Sequence, residues 1–161
     1  MLVAIHQPNF FPWLGYFDKI VRADKFIFMD NAQFQKTGGN FVNRVRLMVA
    51  DAPAWATIPV DRSFGGVVSI KDIRLNQLEF PKWKRKFKAT LCVNYGKAPF
   101  FKEVFPFVEE LADFQTESLA EFNINAIRRT ADLLGVYPGK FVLGSSLKAC
   151  GGSTELLINM T

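Results

Sequence analysis

The sequence predicts an α/β fold, a mostly parallel sheet opened by a βαβ unit and followed by a helical second half. Three observations predict it. Two short apolar runs, Val3-Ala4-Ile5 and Lys25 to Asp30, flank one amphipathic helical pattern, and a crossover of that length joins parallel strands. From Pro81 onward, apolar residues recur mainly at helical spacing. Near the end, Phe141-Val142-Leu143 follows a Tyr137-Pro138-Gly139 turn and reads as a last strand.

The first run stops in His6-Gln7-Pro8-Asn9, where Pro8 removes a backbone donor and holds Gln7 extended. Pro12 suits a first helical turn, and Trp13, Phe17 and Ile20/Val21 then mark a buried stripe. The second run, Phe26-Ile27-Phe28-Met29, is apolar enough to be central in its sheet. A glycine turn at Thr37-Gly38-Gly39-Asn40 precedes Asn43-Arg44-Val45-Arg46-Leu47, which reads either as an anion-binding segment or as a hairpin with outward arginines. Trp55 to Val60 reads as a strand with Pro59 at an edge, and the alternation of Ile70 to Leu75 as a half-buried strand. Pro81 opens a helix with Trp83, Phe87, Leu91 and Tyr95 on one stripe, ended by Gly96. Pro99 to Leu111 is expected to be kinked or divided at Pro106. Ser118 to Leu134 is the clearest helix, its buried stripe running from Leu119 and Phe122 through Ala126, Ile127 and Thr130 to Leu133 and Leu134.

At 161 residues and 49% hydrophobic, residues 1–161 form one domain with a real core. No window approaches the roughly 18 apolar residues of a membrane span, so no membrane insertion is expected. No basic leader precedes the first strand. The two cysteines, Cys92 and Cys150, form no C-x-x-C pattern, which argues against a disulfide framework or structural zinc. A cytoplasmic protein is expected. The formal net charge of +5 favours anionic partners without choosing among them. Cys150 stands before Gly151-Gly152-Ser153 and a short apolar helix, which gives the chain the look of one cut short.

In a parallel sheet both strand ends face the same edge, where open α/β sheets bind ligands. His6, the single histidine, would meet Gln7 and Asn9 there, facing Asp30, Asn31 and Gln33 across the edge. Lys36, Asn43 and Arg44 follow, residues suited to phosphate or carboxylate. No strong metal-ligand cluster is present, and the residues name no cofactor. The basic run Lys82, Lys84, Arg85, Lys86 and Lys88 reads as a solvated helix face, not as a nucleic-acid module.

The stretch IHQPNFFPWLGYFDKI, followed by ADKFIFMDNAQFQK, resembles the WbqC-like family of bacterial proteins. The likeness rests on His6, Gln7, Pro8, Asn9, Pro12, Trp13, Gly15, Tyr16, Phe17, Lys19 and Ile20, then Asp30, Gln33, Phe34 and Lys36. The family's W-x-N-R-N stretch is matched in part by Phe41 to Val45; its tryptophan and second asparagine are absent. Trp83, Tyr95 with Ala98 to Phe101, and Gly144-Ser145-Ser146 extend the likeness. Family members usually continue into a glycine-rich C-terminal segment without counterpart here.

The resemblance implies a role in bacterial surface-polysaccharide (O-antigen, lipopolysaccharide) biosynthesis, as a transferase acting on a nucleotide-activated sugar or similar small anionic metabolite. On that reading His6 is general base or a hydrogen-bond donor to phosphate, and Asp30 is polar partner or base. Gln7 and Asn9 orient the substrate, while Gln33, Lys36, Asn43 and Arg44 hold its anionic part. His suits the role because its ordinary pKa of about 6.5 lies near neutrality. Two alternatives stand beside it. His-x-x-Asn between strand and helix resembles nucleotidylyltransferases of the H-x-G-H or H-x-G-N type, which transfer adenylyl groups, with Pro8 where they carry glycine. The basic helix alternatively makes a non-catalytic binding module for nucleic acid or an acidic partner. A homo-oligomer is left open.

Overall fold

The computed structural model describes residues 1–36 and 41–147. Strand β1 (Val3–His6) passes through a turn into helix α1 (Leu14–Arg22), and β2 (Lys25–Phe28) returns beside β1. The two strands pair in parallel, Val3 opposite Lys25 and His6 opposite Phe28. Strand β5 (Phe141–Leu143) adds to the far edge of β2, also parallel, giving the order β1-β2-β5. The βαβ opening and the central place of β2 are therefore as expected. Phe26, Ile27 and Phe28 are all buried. One shared direction puts the carboxyl ends of all three strands on one edge.

Strands β3 (Arg44–Val49) and β4 (Ala52–Thr57) form a separate antiparallel hairpin, with Val49 opposite Ala52. The hairpin that this segment was expected to form is present. The strand expected over 55–60 starts earlier and stops short of Pro59. Pro53 instead sits in β4 opposite Met48, and a two-stranded sheet offers the free edge that a missing N–H requires. The turn holds Ala50 and Asp51 at φ of 49° and 62°. A two-residue hairpin wants positive φ at both positions, but alanine's Cβ costs about 1–2 kcal/mol there. Ala50→Gly is expected to raise Tm by about 2–4 °C, from roughly 1 kcal/mol of relieved strain. It keeps the N–H that donates to Asn94 Oδ1 at 3.0 Å. Thermal unfolding checks it, and an unchanged Tm would mean the turn stores no strain.

Ile70 to Leu75 is not a strand. Residues Ile70–Asp72 form a single 3₁₀ turn, followed by isolated pairings of Arg74 with Ser118 and Leu75 with Val60. Ile70, Ile73 and Leu75 are buried. Their spacing of three and then two is one 3₁₀ turn leading into extended chain, which the alternation alone does not reveal.

Among the described residues the second half carries helices α2 (Phe80–Tyr95), α3 (Phe101–Asp113) and α4 (Leu119–Leu133). In α2, Phe87 is buried and Trp83, Leu91 and Tyr95 half-buried along the expected stripe. Helix α3 is undivided; Pro106 lies inside it on an exposed position, forgoing one hydrogen bond where its ring meets solvent. Helix α4 begins where Ser118 Oγ accepts the Glu121 N–H at 3.3 Å. Its stripe ends sooner than expected: Ala131 is buried, but Leu133 and Leu134 are 69% and 55% exposed, because the last turn stands clear of the core. Trp13 and Val21 are likewise exposed, not part of the α1 stripe. Tyr16, Phe17 and Ile20 carry that face instead.

The core is aromatic. The Phe10 ring lies 5.7 Å from Trp83 and 6.1 Å from Phe122, and burying such a side chain contributes about 1.5–3 kcal/mol. This fixes the loop after β1 against α2 and α4. The expectations for Thr37 to Asn40, for Cys150 and for the closing helix concern positions outside the described residues.

Candidate functional site at the strand ends

The site begins where β1 ends. The Met29 N–H donates to the His6 carbonyl at 2.8 Å, tying the end of β1 to the end of β2. The His6 ring is half-buried, 4.8 Å from the Tyr16 ring and 6.0 Å from Trp13, both edge-on. Its Nδ1 lies 3.0 Å from the Gln7 carbonyl oxygen. A carbonyl only accepts, so Nδ1 carries the hydrogen and Nε2 keeps the lone pair. Burial holds the His6 pKa below its ordinary 6.5, the Gln7 carbonyl opposes this, and the charge of Lys19 adds to the lowering. The imidazole is thus neutral at neutral pH, with one defined basic nitrogen.

Tyr16 braces the same carbonyl. Its hydroxyl donates to Gln7 O at 2.9 Å. Burial raises the phenol pKa far above its usual value, against a smaller opposing effect of the Asn9 backbone. It therefore acts as a fixed donor, not an acid. Asn9, in the same loop, is itself buried.

Asp30 sits after β2 and is buried. Its Oδ1 accepts the Ser145 N–H at 2.8 Å and its Oδ2 the Ser145 hydroxyl at 2.6 Å. The carboxylate therefore clasps the turn after β5, on the flank of β2 away from β1. Glycine suits position 144, where a Cβ would stand a tight 3.0 Å from both Asn31 Oδ1 and the Phe28 carbonyl.

The remaining predicted residues divide. Gln33 is exposed and bridges to Ser69. Lys36 donates to the Phe64 carbonyl at 3.0 Å and lies over the Phe64 ring at 4.6 Å. Asn43 is buried, its carbonyl accepting the Ile58 N–H at 2.9 Å. The Arg44 guanidinium stacks on Trp55 at 4.3 Å.

One residue absent from the sequence reading joins two of these groups. Asn123 of α4 is fully buried. Its Nδ2 donates to the Pro8 carbonyl at 2.8 Å and to the Val42 carbonyl at 2.7 Å. The Phe10 N–H adds a bond to the Phe41 carbonyl at 2.8 Å. Together they lash the loop of Gln7 and Asn9 to the segment that leads into Asn43 and Arg44. The signal for Asn123 was a polar side chain on the buried face of α4, directly after Phe122. Ser145 and Tyr16 lay within the motifs but carried no assigned role. Among the described residues no group of three or more His, Cys, Asp or Glu is placed to hold a metal ion.

The family model described as the WbqC-like protein family matches residues 7–161. The chain belongs to that family. His6 stands one residue ahead of the matched stretch. This WbqC-like chain is also 29% identical over 159 residues to the uncharacterized protein Rv1507c of Mycobacterium tuberculosis. The alignment covers 98% of this chain and 66% of that protein. The WbqC-like chain thus spans about two thirds of its relative's length. No solved structure matches it. Among the described residues no helix is long and apolar enough to cross a membrane.

Proposed function

We propose that this WbqC-like protein is a cytoplasmic transferase of bacterial surface-polysaccharide (O-antigen) biosynthesis, acting on a nucleotide-activated sugar or similar anionic metabolite. The observation that carries the reading is the His6 Nδ1–Gln7 carbonyl contact of 3.0 Å. It assigns the lone pair to Nε2, which takes the proton of an acceptor hydroxyl or amine as that group bonds to the donor. The donor's bond to its leaving group breaks with the electron pair departing on that group, the nucleotide portion where the donor is a nucleotide-activated sugar. Asp30, with both oxygens engaged by Ser145 on the side of β2 away from β1, serves as polar partner to the turn after β5 and supplies no second base to His6. Gln7 and Asn9 orient the acceptor, and Arg44 with Asn43, Gln33 and Lys36 draws the anionic part. The net charge of +5 supports an anionic substrate.

A thermal-shift screen tests this across nucleotide sugars, nucleoside triphosphates and acyl donors. A ligand at a hundred times its Kd stabilises by about 2.7 kcal/mol, worth several degrees of Tm in a chain of this size. Nucleotide sugars are expected to give that rise and triphosphates none. The reverse pattern would replace sugar chemistry with adenylyl transfer.

A further inference from the structure

We propose that the apolar groove between the β3–β4 hairpin and helices α2 and α3 binds a single-chain amphiphile with an anionic head. His6 lines neither stretch of it, and the proposal does not rest on the transferase reading.

The groove has a volume of about 430 Å³ and is walled by Val45 and Leu47 of the hairpin, Phe87 and Leu91 of α2, and Phe105 and Val108 of α3. A second stretch of about 240 Å³ continues it between α3, α4 and the loop after β1. Phe11, Val104 and Val108 line both stretches, so together they make an elongated apolar slot. Phe100 and Val104 along it are 67% and 52% exposed. Apolar side chains left in water in a contiguous strip mark a binding surface. Phe11 adds a second sign. Its φ is 41°, a left-handed conformation that a bulky side chain rarely adopts and that concentrates at ligand sites.

The charge at one end selects the ligand class. A neighbouring cavity between the hairpin and α2 shares Leu47 and Phe87 with the groove and brings in Lys86, Thr57, Thr90 and Trp55. Arg44 and Arg46 lie with Trp55 on the other face of the hairpin, so Lys86 is the cation at this end. Lys86 makes no ion pair with a described residue, whereas Lys84 and Lys88 pair with Asp113. No acidic residue lines any of the three stretches. Glu109 and Glu110 of α3 are turned to Lys88 at 3.4 Å and Arg129 at 3.0 Å. An apolar slot that ends beside Lys86, with no acid on its walls and the acids of α3 neutralised, fits an alkyl chain carrying a phosphate or carboxylate.

The test titrates octyl, decyl and dodecyl phosphate, each below its critical micelle concentration, into the full chain and follows tryptophan fluorescence. Affinity is expected to rise about fourfold per added methylene, with decanoate binding comparably and neutral decyl maltoside several-fold more weakly. Val104→Asp is expected to abolish binding, and Lys86→Glu to weaken the phosphates about fivefold with little effect on the maltoside. Both positions are exposed, so the melting temperature of each variant stays near that of the parent. Three results overturn the proposal: affinity independent of chain length, equal affinity for charged and neutral heads, or Val104→Asp binding like the parent. A concentration-dependent dimer in sedimentation that Val104→Asp dissolves would also overturn it, since a second copy would then be the occupant.

Discussion

His6→Asn is expected to abolish turnover of whichever nucleotide sugar raises the melting temperature, while leaving that temperature nearly unchanged. The replacement is chosen for its geometry. An asparagine Nδ2 reaches the position of the imidazole Nδ1, so the bond to the Gln7 carbonyl, 3.0 Å in the parent, survives and only the basic nitrogen is lost. General-base catalysis contributes roughly 10²–10⁴-fold, and kcat should fall by that much at constant KM. The pH profile supplies a second check. Burial lowers the His6 pKa from 6.5, so kcat/KM should climb through a pKa below that value and lie flat above it. Stability follows the same group. Below about pH 6.5 the unfolded chain binds a proton that the folded chain takes up only at lower pH, so stability rises with pH there. The His6 contribution is complete above 6.5 and is lost as pH falls; His6→Asn should lack it. Full turnover by His6→Asn would dismiss the base, and a collapse of folding would make the histidine structural.

The sheet was legible because its signal is local. Val3–Ile5 and Phe26–Met29 are apolar runs at crossover distance, and the parallel pairing of β1 and β2 needed nothing further; its register did. Tyr137-Pro138-Gly139 likewise announced β5. The 70–75 segment was misread because alternation is shared by strands and by a 3₁₀ turn opening into extended chain. The site was legible only in part. His6, Gln7 and Asn9 are adjacent in sequence, so their grouping came without tertiary knowledge. The engagement of Asp30 by Ser145, separated by 115 positions, depends on β5 docking beside β2, which no periodicity encodes. Lys36 and Arg44 looked like anion ligands from type alone. Their rings at Phe64 and Trp55 show cations already occupied on one face.

Asn123→Leu is expected to lower stability by roughly 2–6 kcal/mol, because two buried carbonyls each lose a donor worth about 1–3 kcal/mol. At about 2–4 °C per kcal/mol for a chain of this size, thermal unfolding should show a fall on the order of 10 °C. Asparagine is the residue the position demands. One amide nitrogen offers two donors, which the Pro8 and Val42 carbonyls take at 2.8 Å and 2.7 Å. Serine would supply one donor and aspartate none, and glutamine would overreach by a methylene. The requirement outweighs a visible cost, since among the described residues Asn123 Oδ1 is buried without a partner. Asn123→Asp should therefore be worse than Asn123→Leu, setting an acceptor against two acceptors. The same bonds couple the His6 loop to the entry of β3, so in Asn123→Leu the stabilisation by a nucleotide sugar should shrink along with the melting temperature. A lower melting temperature with the ligand response intact would make Asn123 a core staple alone. A loss below about 1 kcal/mol would mean that water reaches both carbonyls and that the loop is held by its aromatics.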